Sequence, residues 1–189
     1  MSGIPPEPEW GTDDWLVIID PQRIFADPTS QWGSPMWPAV VGRIVRLAAA
    51  YGDRVVVTRF VADPRMGGSW EPYYREWPFA LVPDENPLYA VVRELGDVAA
   101  RAARDGRIVT LPTFGKWHAD LREITGDQPR MTLAGVSTDC CVLATALPAA
   151  DAGATVRIAA SACAGSTPEN HQRALDVMAL FGPQIVIAD

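Results

Sequence analysis

The amino-acid sequence predicts an α/β fold, a three-layer α/β/α arrangement around a mostly parallel, Rossmann-like sheet of about six strands. Strand and helix patterns alternate along almost the whole chain, as they do in parallel sheets covered by helices on both faces. The first strand pattern, Trp15–Ile19, is apolar throughout, which is typical of a strand buried on both faces. The 189 residues fit one domain. We therefore predict a single domain over residues 15–189, preceded by a flexible lead-in over residues 1–14.

Short apolar runs bounded by turn residues predict the strands. Asp20 and Pro21 close the first run, the second is rich in Val, and Asp105-Gly106 forms the turn into the third. In chain order, the predicted strands cover residues 15–19, 54–60, 107–111, 131–136, 154–159 and 184–187.

Apolar residues at helical spacing predict the helices between these strands. Gly52 ends the first helix, and Gly96 weakens the second. The segment 61–86 shows no clear period and holds Pro, Gly and several aromatic residues, so we predict a long functional loop there. The predicted helices cover residues 38–51, 89–104, 119–125, 141–152 and 168–181.

Composition and charge exclude several classes of partner. The net charge is −7 and Lys and Arg form no cluster, so neither nucleic acid nor an anionic membrane surface is an expected partner. No apolar run is long enough to span a membrane, and the N-terminus lacks the apolar core of a signal peptide. Three cysteines, two of them adjacent, make a poor disulfide framework. We therefore expect a protein of the reducing cytoplasm.

Three residues with catalytic potential follow three of the predicted strands. Asp20 follows the first strand, Lys116 the third by a few residues, and Cys141 the fourth. Because the carboxyl ends of parallel strands share one edge of the sheet, we expect a carboxylate, an ammonium and a thiol to meet there. Lys116 and the helix N-terminus are expected to lower the pKa of the Cys141 thiol, and Asp20 to accept its proton. A loop cap, a surface lysine and a core cysteine are the alternatives for the three residues taken singly.

Two motifs around these residues carry a family resemblance. The sequence Thr-Asp-Cys-Cys-Val at residues 138–142 follows a strand that ends in Gly-Val, and Asp-x-Gln-x-x-Phe occupies residues 20–25. Lys116 lies between the two motifs. From residue 15 to residue 189, the chain resembles the isochorismatase-like cysteine hydrolase superfamily. It departs from the family pattern at residues 160–163, where the usual Asp is missing.

The resemblance implies an Asp-Lys-Cys triad, in which Asp20 is the general base, Lys116 its electrostatic partner and Cys141 the nucleophile. It also implies a cis peptide bond between Val136 and Ser137. The backbone N–H groups of Ser137 and Cys141 would then form an oxyanion hole.

The two other cysteines receive different interpretations. Cys140 and Cys141 are neighbours and point about 100° apart on a helix, so only one of them faces the sheet edge. The register of the motif selects Cys141. Cys163 is expected to be structural.

The missing histidines favour a reaction without a metal. Nicotinamidase-type members of the superfamily carry Asp-x-His and a further His after the second strand, whereas residues 58–63 contain no His. Neither His118 nor His171 rebuilds that pattern, so we predict no catalytic metal and no cofactor. The prediction is hydrolysis of an amide, carbamoyl or ureido C–N bond through a Cys141 thioester. The alternatives are an isochorismatase-type ether hydrolase and a catalytically silent protein that binds a small molecule.

Aromatic and basic residues near the motifs predict the substrate pocket. Arg59 and Arg65 are candidates for binding a substrate carboxylate, because the guanidinium fork matches that group. Ordinary burial, subunit packing and solvated surface arginine are the alternatives. Family members often form dimers or tetramers, so a homo-oligomer is expected. The predicted pocket residues are Phe25, Arg59, Trp70, Trp77, Trp117 and His118.

Overall fold

Six parallel strands form the centre of the fold in the computed structural model, which describes residues 14–189. The order across the sheet is β3-β2-β1-β4-β5-β6, and each neighbouring pair runs parallel, so the predicted sheet is confirmed and is parallel throughout. The strand order reverses between β1 and β4, which is the kind of switch point where α/β sheets bind ligands. The strands are β1 (Trp15–Ile19), β2 (Val55–Phe60), β3 (Ile108–Leu111), β4 (Arg130–Val136), β5 (Thr155–Ala164) and β6 (Ile185–Ala188).

Helices pack on the sheet and complete the three-layer α/β/α arrangement. The longest of them buries Val40, Ile44 and Ala48, which recur every fourth residue on one face. No helix within residues 14–189 is both long and apolar enough to cross a membrane. Apart from Asp14, the predicted lead-in lies outside the described residues. The helices are α1 (Arg23–Ala26), α2 (Trp37–Tyr51), α3 (Trp70–Glu76), α4 (Gly96–Arg104), α5 (Ala119–Thr125), α6 (Leu143–Asp151) and α7 (Pro168–Ala179).

Two segments between β2 and β3 differ from the prediction. The segment 61–86 is not loop throughout, because it contains α3, whose buried Tyr74 stacks on Trp70. The helix predicted over residues 89–104 begins only at Gly96. Its first part is held extended, since the Val92 N–H donates to the Pro21 carbonyl at 2.9 Å beside an antiparallel bridge between residues 22 and 91.

The region after β4 also differs from the prediction. The helix predicted over residues 141–152 is preceded by a π-helical turn, Thr138–Val142, and α6 starts at Leu143. β5 continues to Ala164 rather than ending at residue 159. A register shift between Leu133 and Gly135 allows β5 to pair with the end of β4, where Gly135 faces Cys163.

Gly135 is the point at which β4 approaches β1 most tightly. Its φ is +122°, and a Cβ built on it would lie 2.2 Å from the Ile19 carbonyl oxygen. We expect Gly135→Ala to lower the free energy of unfolding by at least about 2 kcal/mol, because the new methyl group displaces the backbone of β1. Urea denaturation followed by fluorescence measures this change.

Gly67→Ala is the matched control. Gly67 is exposed, and a Cβ there would meet no atom within 4 Å. Its substitution is expected to change the free energy of unfolding by less than about 0.5 kcal/mol. Equal stabilities of the two variants would contradict the close approach at Gly135.

Candidate active site

Three buried residues meet at the carboxyl edge of the sheet. Asp20 directly follows β1, Lys116 lies in the loop between β3 and α5, and Cys141 lies in the π-helical turn after β4. Asp20 and Lys116 are fully buried, and Cys141 is 1% exposed. The structure therefore brings together the three residues that the sequence placed at one edge.

Asp20 and Lys116 form a buried ion pair. The Lys116 Nζ lies 3.2 Å from Asp20 Oδ2, and it donates a hydrogen bond of 2.6 Å to the Thr113 carbonyl. The other carboxylate oxygen, Oδ1, accepts a bond of 2.6 Å from the Thr58 hydroxyl. Both charges are thus compensated in a site from which water is excluded, as burial of charge requires.

A second buried hydroxyl links the lysine to the cysteine. Thr145 Oγ1 donates to the Cys141 carbonyl at 2.7 Å and accepts the Lys116 N–H at 2.9 Å. The sequence interpretation did not identify the site roles of Thr58 and Thr145. The available signal was a hydroxyl inside an otherwise apolar buried segment.

The pKa of the Cys141 thiol is raised well above its ordinary value, which corrects the lowered pKa predicted from the sequence. The largest cause is a hydrogen bond with Cys140, followed by burial and by the negative charge of Asp20. Lys116 acts in the opposite direction and does not outweigh them. Its charge is already compensated by Asp20, so the resting group is a thiol and a nucleophile requires proton transfer to a base.

The turn that carries Cys141 presents backbone groups beside the thiol. The peptide bond between Val136 and Ser137 is cis. The Ser137 carbonyl accepts the N–H groups of Cys140 and Val142, each at 3.1 Å.

An open cleft of about 230 Å³ lies over the thiol. Aromatic rings and uncharged polar groups make up most of its wall, and Asp139 is the only charged side chain that residues 14–189 contribute to it. A volume below about 300 Å³ suits a molecule smaller than a typical drug-sized ligand. The cleft is lined by Phe25, Gln31, Trp32, Gly33, Tyr73, Phe114, Ser137, Asp139, Cys140, Cys141 and Ser166.

Comparisons with known proteins identify the family. The isochorismatase domain matches residues 14–189. The chain belongs to the isochorismatase family. It is therefore a hydrolase of the isochorismatase-like type. No curated protein matches the chain.

Solved structures of this family share the fold at low sequence identity. A cysteine hydrolase from Pseudomonas syringae pv. phaseolicola 1448A is 18% identical, with 99% of this chain and 94% of that chain covered and a TM-score of 0.77. A pyrazinamidase/nicotinamidase from Streptococcus mutans UA159 is 24% identical, with coverages of 93% and 99% and a TM-score of 0.72. The pyrazinamidase of Pyrococcus horikoshii, solved in complex with zinc, is 25% identical, with coverages of 94% and 99% and a TM-score of 0.71.

The residues of this family member do not fit a zinc centre. Within residues 14–189, no three His, Cys, Asp or Glu side chains come together as a metal site. Asp63, the acidic residue after β2, pairs with Arg65 at 2.9 Å. Neither histidine lies beside Asp63. His118 is exposed at the start of α5, and His171 bonds Thr138 through Nδ1 at 2.8 Å. The donor set that zinc needs is therefore missing from this part of the chain.

Of the predicted pocket residues, only Phe25 lines the cleft. Arg59 pairs with Asp84, and Arg65 with Asp63, so neither guanidinium is directed at the cleft. The remaining four predicted residues do not line the cleft, because their rings pack against other residues or lie on the surface. Trp70 stacks on Tyr74, Trp77 packs on Trp32, Trp117 is partly buried against the core, and His118 is exposed.

Trp32 and Phe114 are the aromatic wall residues that the sequence interpretation missed. The Trp32 ring lies 5.9 Å from that of Phe25, nearly parallel to it, and 6.3 Å from that of Phe114. Each residue comes from a loop that shows no regular pattern, so only the fold reveals that the two rings meet.

Hydrogen bonds from residues at the start of α7 and just before it hold the π-helical turn that carries Cys141. Both Asp139 carboxylate oxygens accept bonds from Ser166, one from its N–H at 2.8 Å and one from its hydroxyl at 2.6 Å. Burial lowers the pKa of His171, while the charge of Asp139 raises it. The Thr138 hydroxyl and His171 Nδ1 share a hydrogen bond of 2.8 Å, which ties the turn to α7.

Proposed function

We propose that the protein is a cysteine hydrolase that cleaves a C–N bond of a small molecule through a thioester on Cys141. The observation that carries the proposal is the buried Asp20–Lys116 ion pair, whose charges act on the thiol of Cys141, a residue that lines the cleft. A carboxylate next to a thiol with a raised pKa suits proton transfer during attack.

The first half of the reaction forms the thioester. Asp20 accepts the proton from Cys141 Sγ, and the sulfur attacks the substrate carbonyl carbon. Backbone N–H groups of Ser137 and Cys141 stabilise the oxyanion that develops on the carbonyl oxygen. Asp20 then returns the proton to the nitrogen, the C–N bond breaks, and the amine leaves.

The second half regenerates the enzyme. A water molecule enters where the amine has left, and Asp20 accepts its proton as the oxygen attacks the thioester carbon. The C–S bond breaks and the proton returns to the Cys141 sulfur. The Lys116 Nζ, 3.2 Å from Asp20 Oδ2, compensates the charge of the carboxylate in the buried site.

The cleft favours a small, flat, uncharged substrate. Phe25, Trp32, Tyr73 and Phe114 contribute rings to it, and neither Lys nor Arg is among its lining residues. A substrate carboxylate would find no cationic partner there. The names of two similar structures, a pyrazinamidase/nicotinamidase and a pyrazinamidase, also favour an amide.

The alternative of an isochorismatase-type ether hydrolase is less well supported, because that reaction needs no thiol nucleophile. A catalytically silent binding protein would need neither the buried ion pair nor the adjacent thiol. We further propose that the enzyme uses no metal or cofactor and acts in the cytoplasm as a homo-oligomer.

A substrate panel with and without a chelator tests the proposal. Neutral aromatic amides, a carbamoyl compound, a ureido compound and a vinyl ether are incubated with the protein, and ammonia or amine release is measured. We expect release from an amide, unchanged turnover after treatment with a chelator, and a hydroxamate when hydroxylamine traps the thioester. Turnover of the vinyl ether alone, or loss of amide turnover with the chelator, would overturn it.

A further inference from the structure

The two carboxylate oxygens of Asp20 have different surroundings. Oδ1 accepts a 2.6 Å hydrogen bond from the Thr58 hydroxyl. Oδ2 is buried, lies 3.2 Å from the Lys116 Nζ, and has no hydrogen-bond partner among residues 14–189. Each carboxylate oxygen has two lone pairs, so Oδ1 still has one free, whereas both lone pairs of Oδ2 are free of hydrogen bonds from residues 14–189. Oδ2 is therefore the oxygen with more capacity to receive a proton.

The orientation of the Thr58 hydroxyl is fixed by Asp20 itself. The backbone N–H of Asp20 donates to Thr58 Oγ1 at 3.0 Å. Because the hydroxyl oxygen accepts this bond, its own hydrogen is free to point at Oδ1. Asp20 has a φ of +45°, an unusual value for a residue other than glycine, and the two bonds to one hydroxyl hold it there.

The Lys116 ammonium is held by backbone carbonyls and does not set the orientation of the Asp20 carboxylate. Its Nζ donates to the Thr113 carbonyl at 2.6 Å and approaches the Arg59 carbonyl at 3.5 Å. The ammonium therefore faces Oδ2 as a fixed charge and leaves the orientation of the carboxylate to Thr58.

We propose that Thr58 is a positioning residue that selects Asp20 Oδ2 as the atom that accepts the Cys141 proton. This inference rests on the proposed function. Thr58 is fully buried on β2 and is not among the residues that line the cleft, so it acts only through Asp20. The charged and titratable groups that face Asp20 are Lys116, from the loop after β3, and Cys141, from the turn after β4.

Thr58→Val removes the hydroxyl at nearly constant volume and tests the proposal. We expect kcat to fall roughly 10- to 100-fold with KM unchanged, because the base loses its orientation but the cleft does not change. Thr58→Ser keeps the hydroxyl and is expected to restore kcat to within about threefold of the wild type, which a merely structural role of the threonine would not require.

Thr132→Val is the matched control. Thr132 is also a buried strand threonine, 1% exposed, but its hydroxyl bonds the Tyr51 hydroxyl at 2.7 Å, away from the cleft. We expect its kcat and KM to match those of the wild type. If Thr58→Val does not fold, Thr58→Ala is used for the same measurement. Its smaller side chain leaves room for a water molecule that can accept the Asp20 N–H in place of the lost hydroxyl.

Alkylation of Cys141 by iodoacetamide separates this proposal from the proposed function, because it requires loss of the Cys141 proton but no amide substrate. The alkylation rate at neutral pH is expected to fall roughly 10-fold in Thr58→Val and to recover in Thr58→Ser. An unchanged rate would overturn the role of Thr58 even if the enzyme is active. A lowered rate in a protein that hydrolyses no amide would support the geometry at Asp20 while the proposed function fails.

Discussion

Cys141→Ala is expected to lower kcat/KM by about 10⁴-fold or more, because the remaining groups bind the substrate but have no nucleophile to join to it. Initial rates on the best amide of the panel measure this loss, and intact-protein mass spectrometry of substrate mixtures should show no acyl adduct in the variant. The prediction concerns one of three cysteines, so the other two provide controls.

Cys163→Ala is the first control. Cys163 is a buried thiol on β5 that contacts the Leu133 carbonyl at 3.7 Å and does not line the cleft. Its substitution is expected to leave kcat/KM within about threefold of the wild type. If Cys141→Ala and Cys163→Ala have equal activity, the nucleophile assignment is wrong.

Cys140→Ala tests the cause of the raised thiol pKa. The hydrogen bond of the Cys141 thiol with Cys140 is the largest cause that raises the pKa of Cys141, so its removal should lower that pKa. In the wild type, alkylation of Cys141 by iodoacetamide is expected to keep rising above pH of about 8.5, where an ordinary thiol is half ionised. In Cys140→Ala, the same rise is expected at lower pH. A wild-type plateau below pH of about 8 would contradict the raised pKa.

Lys116→Met is expected to lower the free energy of unfolding by about 3–5 kcal/mol, because it leaves the Asp20 carboxylate buried without its counter-ion. Adding Asp20→Asn removes that charge, so the double variant should recover most of the lost stability. Turnover is expected to stay absent in the double variant, since it lacks a carboxylate base. Urea denaturation and amide turnover, measured on the same samples, separate the two effects.

Arg122→Met provides a surface control for the ion pair. Arg122 pairs with Asp127 at 3.0 Å, but the two side chains are 49% and 80% exposed. Water already solvates both charges, so the substitution is expected to change the free energy of unfolding by less than about 1 kcal/mol. Two outcomes would contradict the described role of the buried pair. One is a Lys116→Met, Asp20→Asn double variant that is as unstable as Lys116→Met alone. The other is a Lys116→Met variant that is as stable as Arg122→Met.

Local patterns in the sequence predicted the elements that depend on periodicity. The strand limits agree within a residue or two for five strands, whereas β5 runs on to Ala164 because its pairing with β4 shifts at Gly135. Likewise, the helix expected from residue 89 starts at Gly96, since long-range bonds hold residues 90–92 extended. Contacts between distant segments outweighed local preference at both places.

The sequence by itself determined the parallel α/β fold and the meeting of Asp20, Lys116 and Cys141, because parallel strands end at one edge whatever lies between them. Only the tertiary structure decided the wall of the cleft, the pairing of Arg59 away from it, and the role of Thr58. Those features depend on how residues tens of positions apart are brought into register. The raised thiol pKa belongs with them, because burial and neighbouring charges act through distance in space rather than along the chain.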